Sequence, residues 1–155
     1  MLSVYIETSV WSFAFADDSP DYTRDTLAFF DVCRAGRFTP LLSAIALREI
    51  AGAPEPLRSR LLALVKDIGP AVLPSVPEAE ALATAFVQHG AAPPSKPEDA
   101  AHVAIAVVAG CDVLVSLNFK HITNVNRAQR FNAIAALRGF TKPLRIVAPA
   151  ELIHE

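Results

Sequence analysis

With 155 residues, 52% of them hydrophobic, a mean hydropathy of +0.34 and a net charge of −2, the chain fits one domain with one substantial core and needs no staple. Cys33 and Cys111 form no C-x-x-C pair or Cys/His cluster, so both read as reduced thiols in or near the core, and a structural zinc site is not expected. The opening MLSVYIETS has no basic stretch, and no apolar run approaches the ~20 residues of a membrane span, so a cytoplasmic protein without a membrane segment is expected.

Leu2–Ile6 is apolar and β-prone and runs into the polar triplet Glu7-Thr8-Ser9, where a central first strand should end. The turn-rich DDSPD precedes a helix from about Tyr22 to Ala35, with Leu27, Phe30 and Cys33 sharing a face. Phe38–Leu42 predicts a second strand. Ser43 can cap a helix Ala44–Ala51 that carries Glu49 and stops at Gly52. Leucines 57, 61 and 64 mark one face of a helix Leu57–Ile68, Ala71–Leu73 is a short extended piece, and Pro77 opens a helix to His89.

Ser95 and Glu98 have the S-x-x-E spacing of a capping box, which predicts the start of a helix that is almost wholly Ala, Val and Ile up to Ala109. Asp99 and His102 are the ionisable residues inside it and lie three apart, on one face. Val113–Leu117 carries no charge, as a strand covered on both faces of a parallel sheet would, and Asn118 stands at its carboxyl end. Asn124 can cap a helix to Arg138, with Phe131, Ile134 and Leu137 at helical spacing; Leu144–Val147 is the last strand, before a closing helical turn at Pro149. Strands alternating with helices predict an α/β fold: one domain over 1–155, a mainly parallel sheet covered on both sides.

No G-x-x-x-x-G-K-[ST], G-x-G-x-x-G, G-x-S-x-G or H-E-x-x-H occurs, which removes the usual handles for nucleotide, hydride and acyl-transfer chemistry. What remains are oxygen donors at corresponding ends of elements: Glu7, Glu49, Asp99 and Asn118. Carboxylates that converge repel one another unless a cation neutralises them, and hard oxygens suit Mg²⁺ or Mn²⁺. Each residue also has an ordinary reading. A helix dipole alone favours Asp99 in a first turn, Glu49 can be a solvated helix residue, His102 and His121 can be satisfied hydrogen-bonding histidines, and Asn118 can be a turn residue. No acid occurs from Val113 to Ala150, where Lys120, Arg127, Arg130, Arg138, Lys142 and Arg145 fall; a solvated face and a phosphate-facing surface explain that equally well.

V-Y-I-E-T-S-V at Val4–Val10, P-E-D-A-A-H-V-A at Pro97–Ala104 and L-V-S-L-N-F-K-H-I at Leu114–Ile122 together resemble the PIN-domain family, and within it the VapC-type toxins of bacterial toxin–antitoxin systems. The resemblance covers almost the whole chain. It implies a three-layer α/β/α sandwich and a metal-dependent ribonuclease, with Glu7, Glu49, Asp99 and Asn118 as catalytic positions and Glu7, Asp99 and Glu49 as ligands for Mg²⁺ or Mn²⁺. Thr8, Ser9, Lys120 and His121 are then expected against RNA, and a cognate antitoxin and a second copy of the chain as protein partners. Two positions depart from the family pattern: Glu7 and Asn118 stand where aspartate is common. Glu7 keeps the charge one methylene further out, whereas Asn118 lends only a neutral oxygen, so one cation is expected rather than two. The departure at Asn118 also leaves open a PIN-like module that binds RNA or a protein without cutting.

Overall fold

The computed structural model describes residues 1–154. Five strands form one sheet in the order β3-β2-β1-β4-β5, every neighbouring pair parallel. They are β1 (Ser3–Ile6), β2 (Thr39–Ser43), β3 (Ala71–Leu73), β4 (Val113–Val115) and β5 (Arg145–Val147). Between β1 and β2 lie α1 (Thr8–Phe13) and α2 (Pro20–Arg34), and between β2 and β3 lie α3 (Ala44–Ala51) and α4 (Leu57–Ile68). The β3-to-β4 crossover carries α5 (Pro77–Gln88) and α6 (Pro97–Val108), α7 (Val125–Leu137) joins β4 to β5, and a 3₁₀ turn spans Pro149–Leu152. No helix among the described residues is long and apolar enough to cross a membrane.

The pleat divides the core into two layers, because successive strand side chains point to opposite faces. Val4, Ile6, Val113 and Val115 pack with Trp11, Phe29, Phe30 and Leu61 from α1, α2 and α4. Tyr5 and Leu114 pack on the other face with Phe86, Val103, Ala104 and Phe131 from α5, α6 and α7. The result is the expected α/β/α sandwich. Cys33 lies in the first layer and Cys111 in the second, so the sheet separates the two free thiols.

Chain direction across the sheet reverses between β1 and β4, since β1 leads to β2 and β3 on one side while β4 and β5 lie on the other. A crevice opens beyond the carboxyl ends of the strands at such a reversal. Glu7 leaves β1 and Ser116 leaves β4 at this point, and the Glu7 N–H donates to the Val115 carbonyl at 3.1 Å.

Most predicted elements appear within a residue or two, and the exceptions have physical causes. The Ser95–Glu98 capping box does not form: α6 starts at Pro97 with Lys96 as its N-cap and no side-chain cap, because the proline fixes the first helical position one residue later than the box requires. Thr8-Ser9 is not merely a strand end but opens α1, whose buried Val10 and Trp11 anchor it to the sheet. Leu27 and Leu137 are exposed, 45% and 88%; α2 instead buries Thr26, Phe29, Phe30 and Cys33, and α7 buries Phe131 and Ala135.

Leu114 is fully buried on the central strand pair. Leu114→Ala should lower stability by about 2–5 kcal/mol, seen in urea unfolding as a lower midpoint at unchanged m-value.

Candidate active site

Glu7 ends β1 in extended conformation (φ −75°, ψ 155°) and caps α1. Its Oε2 accepts the Ser9 N–H at 3.0 Å, while Oε1 accepts the hydroxyls of Ser9 and of Ser116, each at 2.6 Å. Ser9 Oγ in turn accepts the Leu117 N–H at 2.9 Å, so the hydroxyl that holds Glu7 also holds the chain leaving β4. A side chain one methylene shorter than glutamate would have less reach from the cap of its own helix to Ser116 on the neighbouring strand. The carboxylate is 6% exposed and tied down by these three donors.

On α6, His102 is 1% exposed and bonded at both ring nitrogens. Nε2 lies 2.6 Å from Glu49 Oε1, and Nδ1 lies 2.6 Å from the Tyr5 hydroxyl. Tyr5 donates to Ser43 Oγ at 2.7 Å, and burial raises its pKa far above the ordinary phenol value, so it stays protonated. Glu49 Oε1 can only accept, so Nε2 of His102 carries a proton and donates to it, while Nδ1 shares its hydrogen bond with the Tyr5 hydroxyl. Burial alone would pull the pKa of His102 down. The Glu49 hydrogen bond and the charges of Glu7, Glu49 and Asp99 outweigh it, and the net direction is upward. Burial likewise pushes Glu49 up, but the His102 hydrogen bond and charge, helped by Thr8 Oγ1 donating at 3.0 Å, leave its carboxyl below the ordinary value. Three acids from three segments thus favour a second proton on one buried histidine.

Asp99, in the first turn of α6, faces the β4 loop. Its Oδ1 accepts from Asn118 Nδ2 at 3.1 Å and its Oδ2 lies 2.8 Å from His121 Nδ1, the two side chains of that pair being 15% and 17% exposed. The amide of Asn118 is oriented by its surroundings: Oδ1 accepts the His121 N–H at 3.1 Å, so nitrogen must face Asp99. The expected oxygen ligand therefore presents a donor to Asp99. Asn118 N–H donates to Ser116 Oγ at 3.0 Å, which joins the Asp99 side of the site to Glu7.

No protein-family model matches the sequence, and no curated protein matches it. The site therefore stands on its own chemistry. Among the described residues no group of three or more His, Cys, Asp or Glu side chains is set to hold a metal ion. Two hard carboxylates are still enough for Mg²⁺, which completes its shell with water and phosphate oxygens. A carboxylate offers about four lone-pair positions; Glu7 uses three and Asp99 two, so both keep capacity for a hard cation. Glu49 fits that role less well, because its Oε1 already serves His102 and Thr8.

Glu7, Glu49, Asp99 and Asn118 thus meet at one edge, but Thr8 and Ser9 brace acids instead of presenting themselves outward. His121 pairs with Asp99, and Lys120 is exposed on the loop. The basic C-terminal region is mostly occupied: Arg127 and Arg130 donate to the carbonyls of Ala91 and Gly90 beyond α5, and Lys142 to the Gly110 carbonyl and to Asp112. Ser116 and the Tyr5–Ser43 pair went unrecognised as site residues. Ser43 announced itself only as a helix cap, and nothing local marks a strand tyrosine as a histidine's partner. Cys33 and Cys111 are excluded as nucleophiles, burial pushing their thiols up to about 12 and about 11.

The His102–Glu49 pair fixes a pH signature. A raised histidine contributes stability fully below its ordinary 6.5 and loses it as pH rises through the higher folded value; a lowered carboxyl contributes above its ordinary 4.5 and loses it as pH falls. Stability from the pair should therefore peak between these values. Thermal melts of wild type and His102→Gln across pH 4–9 should show the variant with a flatter decline on the alkaline side.

At Asn118, an aspartate would set a second carboxylate against Asp99. Asn118→Asp should lower the melting temperature of the metal-free protein and bind Mn²⁺ more tightly in calorimetry. Unchanged melting and unchanged affinity together would place residue 118 outside the ligand sphere.

Proposed function

We propose that this chain is a metal-dependent endoribonuclease of the PIN type, hydrolysing RNA phosphodiester bonds as the toxin of a toxin–antitoxin pair. The observation that supports this most is the convergence of Glu7, Glu49, Asp99 and Asn118, from four separate segments, at the carboxyl edge where the parallel sheet reverses. In this reading Glu7 and Asp99 hold one Mg²⁺ or Mn²⁺, which when bound supplies charge neutralisation at the phosphate and activation of water. The rest is done by the chain itself. Ser9 and Ser116 fix Glu7, and His102 with Thr8 fixes Glu49, ionised and 36% exposed, where it can accept a hydrogen bond from water. Asn118 orients Asp99 and turns the loop so that Lys120 stands outward for the RNA backbone, as phosphate contacts require.

One observation favours a second reading, an RNA-binding module that does not cut: Glu7 and Asp99 already have protein donors on both oxygens. Purified protein incubated with structured RNA separates the two. Mg²⁺- or Mn²⁺-dependent products, removed by EDTA, should appear with wild type. Loss of residues that merely support a metal ligand costs about 10- to 100-fold, so Asp99→Asn, which alters a ligand itself, should lose at least that much activity. RNA bound tightly with no divalent-dependent product by either protein would instead establish the binding module.

A further inference from the structure

The acids at the carboxyl edge do not spend their oxygens alike. Glu7 and Asp99 have protein partners on both, whereas Glu49 uses Oε1 twice, for His102 and Thr8, and its Oε2 has no protein partner among the described residues. Glu49 is also the most exposed of the three, at 36%. Which of its oxygens turns outward is settled by a ring of contacts. Ser43 ends β2, caps α3 by accepting the Ala46 N–H at 3.1 Å, and accepts the Tyr5 hydroxyl at 2.7 Å. Tyr5 reaches His102 Nδ1, His102 Nε2 reaches Glu49 Oε1, and Glu49 lies further along the same α3 that Ser43 caps. The ring therefore closes on α3 at two points.

We infer that Tyr5 and Ser43 are positioning residues: acting through His102, they hold Glu49 with Oε2 facing the acid edge, where it accepts from the water that attacks the phosphodiester. The use of that oxygen in cleavage rests on the nuclease reading; its placement does not. The torsions that matter, the last one of the histidine ring and the last one of the glutamate carboxylate, have no sharp rotamer preference of their own, so hydrogen bonds decide them. On α6 the neighbours of His102 are Ala101, Val103, Ala104 and Ala106, none of which can bond a ring nitrogen. Tyr5 is thus the one polar contact that Nδ1 makes. With Ser43 and Tyr5 fully buried and His102 1% exposed, water cannot take over a lost link. Packing alone would be served by apolar side chains, since buried polar groups carry a desolvation cost. The buried polar residues Ser43, His102 and Ser116 nevertheless all lead to an acid of this edge, and only Thr26 does not.

The test breaks the ring at two points, with Tyr5→Phe and with Ser43→Ala; should one variant fail to fold, the other carries the test. In proton NMR of the metal-free protein, the Nε2–H that bonds Glu49 should give an exchange-protected imidazole resonance, assigned by its absence in His102→Gln. Tyr5→Phe and Ser43→Ala should lose that protection. In RNA cleavage with Mn²⁺, each should lower kcat roughly 10- to 100-fold, as loss of a group behind a working carboxylate does, with KM for RNA unchanged. Tyr5→Phe/Glu49→Gln should be no slower than Glu49→Gln alone, because the hydroxyl acts only through that carboxylate. A resonance still protected in both variants, losses that multiply in the double variant, or a raised KM at unchanged kcat would each overturn the inference. Protection lost in the variants of a wild type that cleaves nothing upholds the hold of Tyr5 and Ser43 on Glu49 and removes the nuclease reading instead.

Discussion

A histidine with essentially no solvent exposure keeps a raised pKa only because carboxylates face it, and that constraint organises the carboxyl edge of the sheet. One hydrogen-bonded chain runs Ser43, Tyr5, His102, Glu49, Thr8, and so joins the end of β2, the middle of β1, α6, α3 and the start of α1. None of these elements can shift without breaking a link of that chain. The small residues around His102 on α6, Ala100, Ala104 and Ala106, are all buried and let that helix lie close to the sheet. The same histidine holds the Glu49 carboxyl below its ordinary value, through its hydrogen bond first and its charge second.

The fold was largely legible because its signals are local. Ser43 accepts the Ala46 N–H as a helix cap should, α3, α4 and β3 have the bounds their patterns predict, and uncharged β4 is buried throughout. Failures came where a tertiary contact outweighs a local signal. Thr8–Phe13 has no helical period of its own to speak of, yet Trp11 is fully buried, ring to ring with Phe30 at 4.9 Å and bonded through Nε1 to the Ile6 carbonyl. That packing holds a short helix that sequence alone reads as a strand end. Leu27 fell on the wrong side by a small rotation of α2, which the neighbouring aromatics Phe29 and Phe30 decide.

Within the site, residue identity was easier to read than role. The acids could be named because hard oxygen donors at strand ends and helix starts share an edge in any parallel α/β sheet. Which group neutralises which acid depends on contacts across 19 to 109 residues of sequence, such as Ser116 to Glu7 and Asn118 to Asp99. The basic residues illustrate the same limit. Arg127 and Arg130 sit at the carbonyl end of α5 and Lys142 at that of α6, where cations complement the helix dipole. Lys120, by contrast, stands exposed two residues after Asn118, on the loop whose amide bonds Asp99.

Asn118 separates assembly of the site from any ion it takes. Two carboxylates at hydrogen-bond distance need a shared proton or a cation between them, so a loop closed by a second acid would depend on one or the other. An amide removes that dependence. Its oxygen is fixed by the His121 N–H, its nitrogen neutralises part of Asp99, and Ser116 carries the connection on to Glu7. The loop that bears Phe119 and Lys120 is thereby ordered by bonds internal to the protein. Exposed Phe119 and Lys120 are then held in place by the protein's own bonds, with one negative charge fewer at the edge than a second acid would give.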